Sequence, residues 1–158
     1  MSKSKLIYSF LIVLWMGLVV GVSLFSAPIK FLVPDMSREI QLQLGSLTFR
    51  YFNYIEWLVL ALILLSLIWL LKQSQLKQPK LVVGLTFLLL LILVADSLYI
   101  LPVLHNYVHA LTNGKTTIDT AIKIAPYHRL YVAGDFLKVI FQLILFVVLN
   151  SRSAKDVS

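Results

Sequence analysis

Apolar residues in this chain gather into four long runs, separated by stretches where lysine, proline, glycine and amides collect. The runs extend from Leu6 to about Ala27, about Tyr54 to Leu71, Leu81 to about Leu104, and about Leu130 to Leu149. Each is close to the roughly 20 helical residues needed to cross a hydrocarbon core. None shows the period-2 alternation of a barrel strand. The pattern predicts an all-α protein, a four-helix transmembrane bundle forming a single integral membrane domain over 1–158. Lys3 and Lys5 before an apolar run ending in Ser26-Ala27 also resemble a cleavable signal peptide. The apolar stretch of such a peptide is only about 7–15 residues long, whereas Leu6 to Phe25 continues further, so an uncleaved span is expected.

The segments between the runs orient the bundle. Lys3 and Lys5 precede the first, Lys72, Lys77 and Lys80 separate the second from the third, and Arg152 and Lys155 follow the fourth with Asp156. With four spans these three segments share one side. The other side carries Lys30, Arg38, Arg50, Lys115 and Lys123 over longer loops, mixed with Asp35, Glu39 and Asp119. The positive-inside rule therefore places both termini in the cytoplasm. A multi-pass protein of a bacterial inner membrane is expected.

The outer connections differ in kind. Between spans one and two, Pro28 and Pro34 interrupt the chain, and Asp35 or Ser37 offers a helix cap. Ile40, Leu42, Leu44, Leu47, Phe49 and Phe52 follow. This amphipathic outer segment would either lie in the interface or extend the second span outward as one long helix. Between spans three and four, Asn113-Gly114 signals a turn, with a short amphipathic piece from Thr117 to Ile124 ended by Pro126.

Composition narrows the chemistry. Hydrophobic residues make up 59% and charged residues 13% of the chain, against about 25% charged in a soluble domain. Cysteine is absent, which excludes disulfides, thiolate metal sites and cysteine nucleophiles. The formal charge of +7 sits at the ends of apolar runs, where it meets lipid headgroups. The lipid bilayer is the expected partner, together with a homo-oligomer or membrane complex; nucleic acid is not.

Ionisable groups at membrane depth are costly and each marks a candidate site. Glu56 opens the second span, Asp96 lies about 22 Å into the third at 1.5 Å per residue, and Asp135 and Lys138 lie in the outer part of the fourth. Spacing gathers them further. His128, Tyr131, Asp135, Lys138 and Gln142 share one face of a helix, as do Asp96 with Tyr99 and Asn53 with Glu56. A bundle turning these faces inward would enclose an outward-facing polar pocket with His128, Tyr131, Asp135, Lys138, Asp96, Tyr99 and Glu56 as ligand-binding residues. Its acidic excess would be met by Arg129, by protons, or by a cation. The plainer reading has Asp135 and Lys138 as an intrahelical pair, Glu56 snorkelling, and Asp96 as packing glue. Gly17 and Gly21 form a helix-contact step, and Gly134 likewise reads as packing. Trp15, Trp57 and Trp69 are expected as lipid-facing or interface anchors.

Three functions are compatible with these residues. One is a binding or transport-related membrane protein. Another is a haem-, quinone- or metal-binding redox protein or enzyme; His105 and His109 have an i, i+4 ligand spacing, though no Glu follows His105 as in zinc hydrolases. The third is a structural subunit of a membrane complex. No Ser-His-Asp spacing or Gly-rich phosphate loop is present, so an enzyme is not favoured. No catalytic residue, no metal ligand set and no cofactor is assigned.

Trp15-Met16-Gly17, then Leu24-Phe25-Ser26-Ala27-Pro28-Ile29-Lys30-Phe31, Leu47-Thr48-Phe49-Arg50 and Tyr99-Ile100-Leu101-Pro102 together resemble a family of small four-span membrane proteins related to transmembrane protein 205. A His-x2-Ser-x3-Asn-like element opening the family's fourth span is matched by His128, with Tyr131 in place of Ser and Asp135 in place of Asn. The resemblance implies a four-helix bundle and names no activity. Looser similarity runs to copper-resistance protein D and to a haem-pathway oxidase, whose histidine in the first span is missing here.

Overall fold

The computed structural model describes residues 3–74, 76–114 and 118–151, with the backbone alone described at 112 and 118–124. Arg152, Lys155 and Asp156, Lys115, and the side chains of Asp119 and Lys123 therefore lie outside the described residues. Four long helices account for almost everything else: α1 (Lys3–Leu32), α2 (Arg38–Lys72), α3 (Pro79–Leu111) and α4 (Ile118–Asn150). In each, an apolar stretch long enough to cross a membrane is present, and the chain is a multi-pass all-α bundle.

The helices outrun the bilayer. α2 has 35 residues, about 52 Å at 1.5 Å per residue, against a hydrocarbon core of about 30 Å. Its N-terminal part is the amphipathic segment after Ser37, continuous with the span. Ser37 caps it, accepting a hydrogen bond from the Ile40 amide at 3.4 Å, as its hydroxyl and extended backbone suit. Asn113 and Gly114 make the turn after α3, Gly114 at φ +64°. Pro126 does not end a separate piece; it lies inside α4, which is one helix from Ile118.

Two wide turns interrupt α-geometry. Val19–Ser26 of α1 and Asp96–Ile100 of α3 are π-helical. Each stands just before a proline, Pro28 and Pro102. Proline has no N–H for the carbonyl four residues back and its ring crowds that carbonyl, so a turn bonded i to i+5 absorbs the mismatch.

Lys3 to Lys5, the connection around Lys77, and the end of α4 meet at one end of the bundle. Ser4 donates to Gln73 at 2.8 Å, and Lys77 Nζ to the Ser151 carbonyl at 3.1 Å. Above that end lies a dry core. Ile12, Ile63, Leu89, Leu93 and Leu145, contributed by all four helices, are fully buried. Its few polar groups pair locally, Tyr8 with Thr86 at 2.7 Å and Thr86 with the Val82 carbonyl at 2.8 Å. Gly17 and Gly21 make no close helix contact: a Cβ at either meets no atom within 4 Å. The step faces outward because Trp15, Val19 and Ser23 occupy the inward face of α1. Gly134 is a close approach, since a Cβ there would stand 3.4 Å from Asp96 Oδ1.

Candidate functional site

Above the dry core, the four helices bring four charged side chains to one point. Lys138 Nζ of α4 lies 2.7 Å from Asp135 Oδ1 one turn earlier, 2.9 Å from Glu56 Oε1 of α2, and 3.0 Å from Asp96 Oδ2 of α3. From α1, Trp15 Nε1 donates to Glu56 Oε1 at 3.0 Å. All five side chains are essentially without exposure. The hydrogen bond from Lys138 is directed at Glu56; Asp96 and Asp135 meet its charge but not in hydrogen-bonding geometry.

The arithmetic of charge is the main property of this cluster. Three carboxylates face one ammonium, so with every group ionised the cluster holds a formal excess of two negative charges. Isolated ions in a low-dielectric interior are expensive, and the excess calls for protons or a cation. Among the described residues Lys138 is the only base in ion-pair contact with these acids. Arg129, in the N-terminal half of α4, is exposed and does not balance them.

A cavity of about 1400 Å³ opens above the cluster, at the end of the bundle opposite the termini. Asp135 and Tyr131 line it, with Ser23, Asn53 and Ser97 around them and His128 further up α4. Asp135 Oδ2 and the Tyr131 hydroxyl are buried without a hydrogen-bond partner. Tyr131 approaches Ser23 Oγ, but the two do not meet hydrogen-bonding geometry and both hydroxyls stay unsatisfied. Its ring stacks edge-on against Phe49 at 5.0 Å and lies 5.8 Å from Lys138 Nζ. A second polar string flanks the floor: Trp57 Nε1 donates to Ser97 Oγ at 2.9 Å, which lies 3.0 Å from Asn53 Oδ1. One turn below Lys138, Gln142 is fully buried with neither amide atom partnered.

Of the residues selected by helical spacing, Glu56, Asp96, Asp135 and Lys138 meet directly, Tyr131 lies against them, and His128 is exposed on the cavity wall. Tyr99 does not join them. It is 69% exposed, because the π-turn from Asp96 to Ile100 breaks the i, i+3 register that would have aligned it with Asp96. Trp15 is the reverse case: rather than a lipid-facing anchor, it is an interior donor to Glu56. Its place on the face of Ser4, Tyr8, Val19 and Ser23 was the signal for this. Trp57 is partly exposed but commits its N–H to Ser97, and Trp69 is exposed. His105 and His109 both lie on α3, bonded to Ser46 at 2.9 Å and Asn113 at 3.2 Å. Among the described residues no group of three or more His, Asp or Glu has the arrangement to hold a metal ion.

Comparison with protein-family models, curated proteins and solved structures finds no significant match to this chain. The arrangement itself must carry the functional reading.

Proposed function

We propose that this protein is a binding or transport-related component of a bacterial inner membrane, with its termini in the cytoplasm and its ligand pocket open to the outside. The observation that carries this reading is Asp135. It is fully buried, lines the cavity, pairs one oxygen with Lys138 and leaves the other without a hydrogen-bond partner. A cluster serving only to join helices would satisfy its own oxygens. Here an acid-rich floor is presented to a cavity, while the dry core beneath separates it from the end bearing the termini.

Orientation rests on charge. The end with the termini carries Lys3, Lys5, Lys72, Lys77 and Lys80 without an acid among the described residues, and the cavity end mixes both signs. Small basic segments of this kind stay cytoplasmic. Kinship with the four-span family related to transmembrane protein 205 belongs to the same proposal, resting on the short motifs named above.

The cysteine-free sequence makes the test direct. Val132→Cys places a single thiol on the cavity wall, and Ser74→Cys places one at the opposite end. In intact cells a membrane-impermeant maleimide should modify Val132→Cys, and Ser74→Cys only after permeabilisation. The opposite labelling pattern, or an unreactive Val132→Cys, would overturn the reading.

A further inference from the structure

The upper wall of the cavity differs from its floor, and Lys30 is the group that distinguishes it. Its side chain is half-buried, with Nζ 5.0 Å from the centre of the Phe49 ring and 5.2 Å from that of Phe31. Gly45 of α2 makes room for it: a Cβ there would overlap Lys30 Nζ and stand 2.9 Å from Cε. No carboxylate among the described residues pairs with this ammonium. His128 lies within electrostatic reach of it. Arg38 and Arg50 line the same cavity; among the described lining residues the acids are Glu39 and Asp135, the latter below and tied to Lys138.

Two aromatic faces stabilise a cation, weakly at exposed sites and more when it is desolvated. They do not replace the water an ammonium loses on partial burial. An anionic oxygen group does, through a charge-assisted hydrogen bond. The walls beside Lys30 are apolar, including Phe31, Leu42, Phe49, Leu101 and Leu104. The cavity is also larger than the roughly 300–1,000 Å³ of common small-molecule sites.

We propose that the pocket binds an anionic amphiphile, a carboxylate or phosphate on an apolar chain, with its charged oxygens on the Lys30 ammonium and its apolar body along the phenylalanine and leucine wall. This rests on the pocket reading above and names its ligand class. Lys30 and Gly45 act as one device: the ammonium reads the charge, and the missing side chain sets its position.

The test uses the full chain in phosphatidylcholine nanodiscs, titrated with laurate, with dodecanol (the same chain length without the charge) and with acetate (the charge without the chain). Binding is read as a rise in melting temperature and as protection of Val132→Cys from maleimide. Laurate should bind at least tenfold more tightly than dodecanol or acetate. Lys30→Gln should weaken laurate at least tenfold, Lys30→Arg should restore most of it, and Lys80→Gln at the other end should change nothing. Gly45→Ala provides a second variant that keeps every charge. The atoms it displaces are the flexible tip of Lys30, so the fold survives while laurate weakens by a similar factor. Equal affinities for laurate and dodecanol, acetate binding as tightly as laurate, or unaltered laurate binding in both Lys30→Gln and Gly45→Ala would each overturn the proposal. A Val132→Cys that reacts without laurate protection removes this inference alone. One that never reacts removes the pocket and the inference together.

Discussion

The two halves of this bundle are built from the same four helices by different means. In the half nearest the termini, leucine and isoleucine fill the interior, and the few polar groups pair with a neighbour, as Tyr8 does with Thr86. In the other half the interior holds three acids, a lysine, a tyrosine, an asparagine and a glutamine, several with unpartnered atoms. Helices in lipid associate by close packing and occasional hydrogen bonds, and the first half shows that this chain has enough of both. The second half adds buried charge that the first does without. Under the function proposed above, these charges mark the half that meets a ligand.

The comparison can be broken most forcefully at Lys138. Lys138→Met would leave Glu56, Asp96 and Asp135 facing one another without a counter-charge, and removing one member of a buried ion pair costs about 3–5 kcal/mol. Thermal unfolding in detergent should show it as the largest loss of stability among single changes in the polar half. In the dry half, Leu89→Ala should cost about 2–5 kcal/mol through the cavity it leaves. It should not alter maleimide access to Val132→Cys, which would separate the halves functionally as well as energetically. Trp15→Phe keeps an aromatic ring but removes part of the indole and, with it, the donor to Glu56. A hydrogen bond to a charged group contributes about 1.5–3 kcal/mol, and a stability loss of that order should be shared with Glu56→Gln in a double-mutant cycle. Tyr99→Phe touches an exposed side chain and should stay within about 0.5 kcal/mol of the parent.

Much of this division was legible in the residues themselves. The four apolar runs specify the helices, and the i, i+3, i+7, i+10, i+14 spacing of His128, Tyr131, Asp135, Lys138 and Gln142 describes one face of α4. That spacing identifies the faces but not the partners: that Lys138 reaches Glu56 and Asp96 depends on the lateral order of helices. Tyr99 was misplaced because Pro102 acts at a distance, widening the turn that precedes it and rotating Tyr99 outward. Trp15 was misplaced because tryptophan in a span commonly sits at the interface, a tendency that outweighed its alignment with Ser4 and Tyr8. Lys30 was visible only as one of the mixed charges between the first two spans, since neither Gly45 nor Phe49 is near it in sequence.

The claim that the cluster holds more acid than its lysine balances is tested most directly by the thermal unfolding of Asp135→Asn beside Lys138→Met. Removing one of three carboxylates halves the formal excess and leaves Lys138 paired with Glu56 and Asp96. Asp135→Asn should leave the melting temperature unchanged or raised, against a large fall for Lys138→Met. Equal falls in both would contradict the claim, and would make Asp135 and Lys138 an ordinary structural pair.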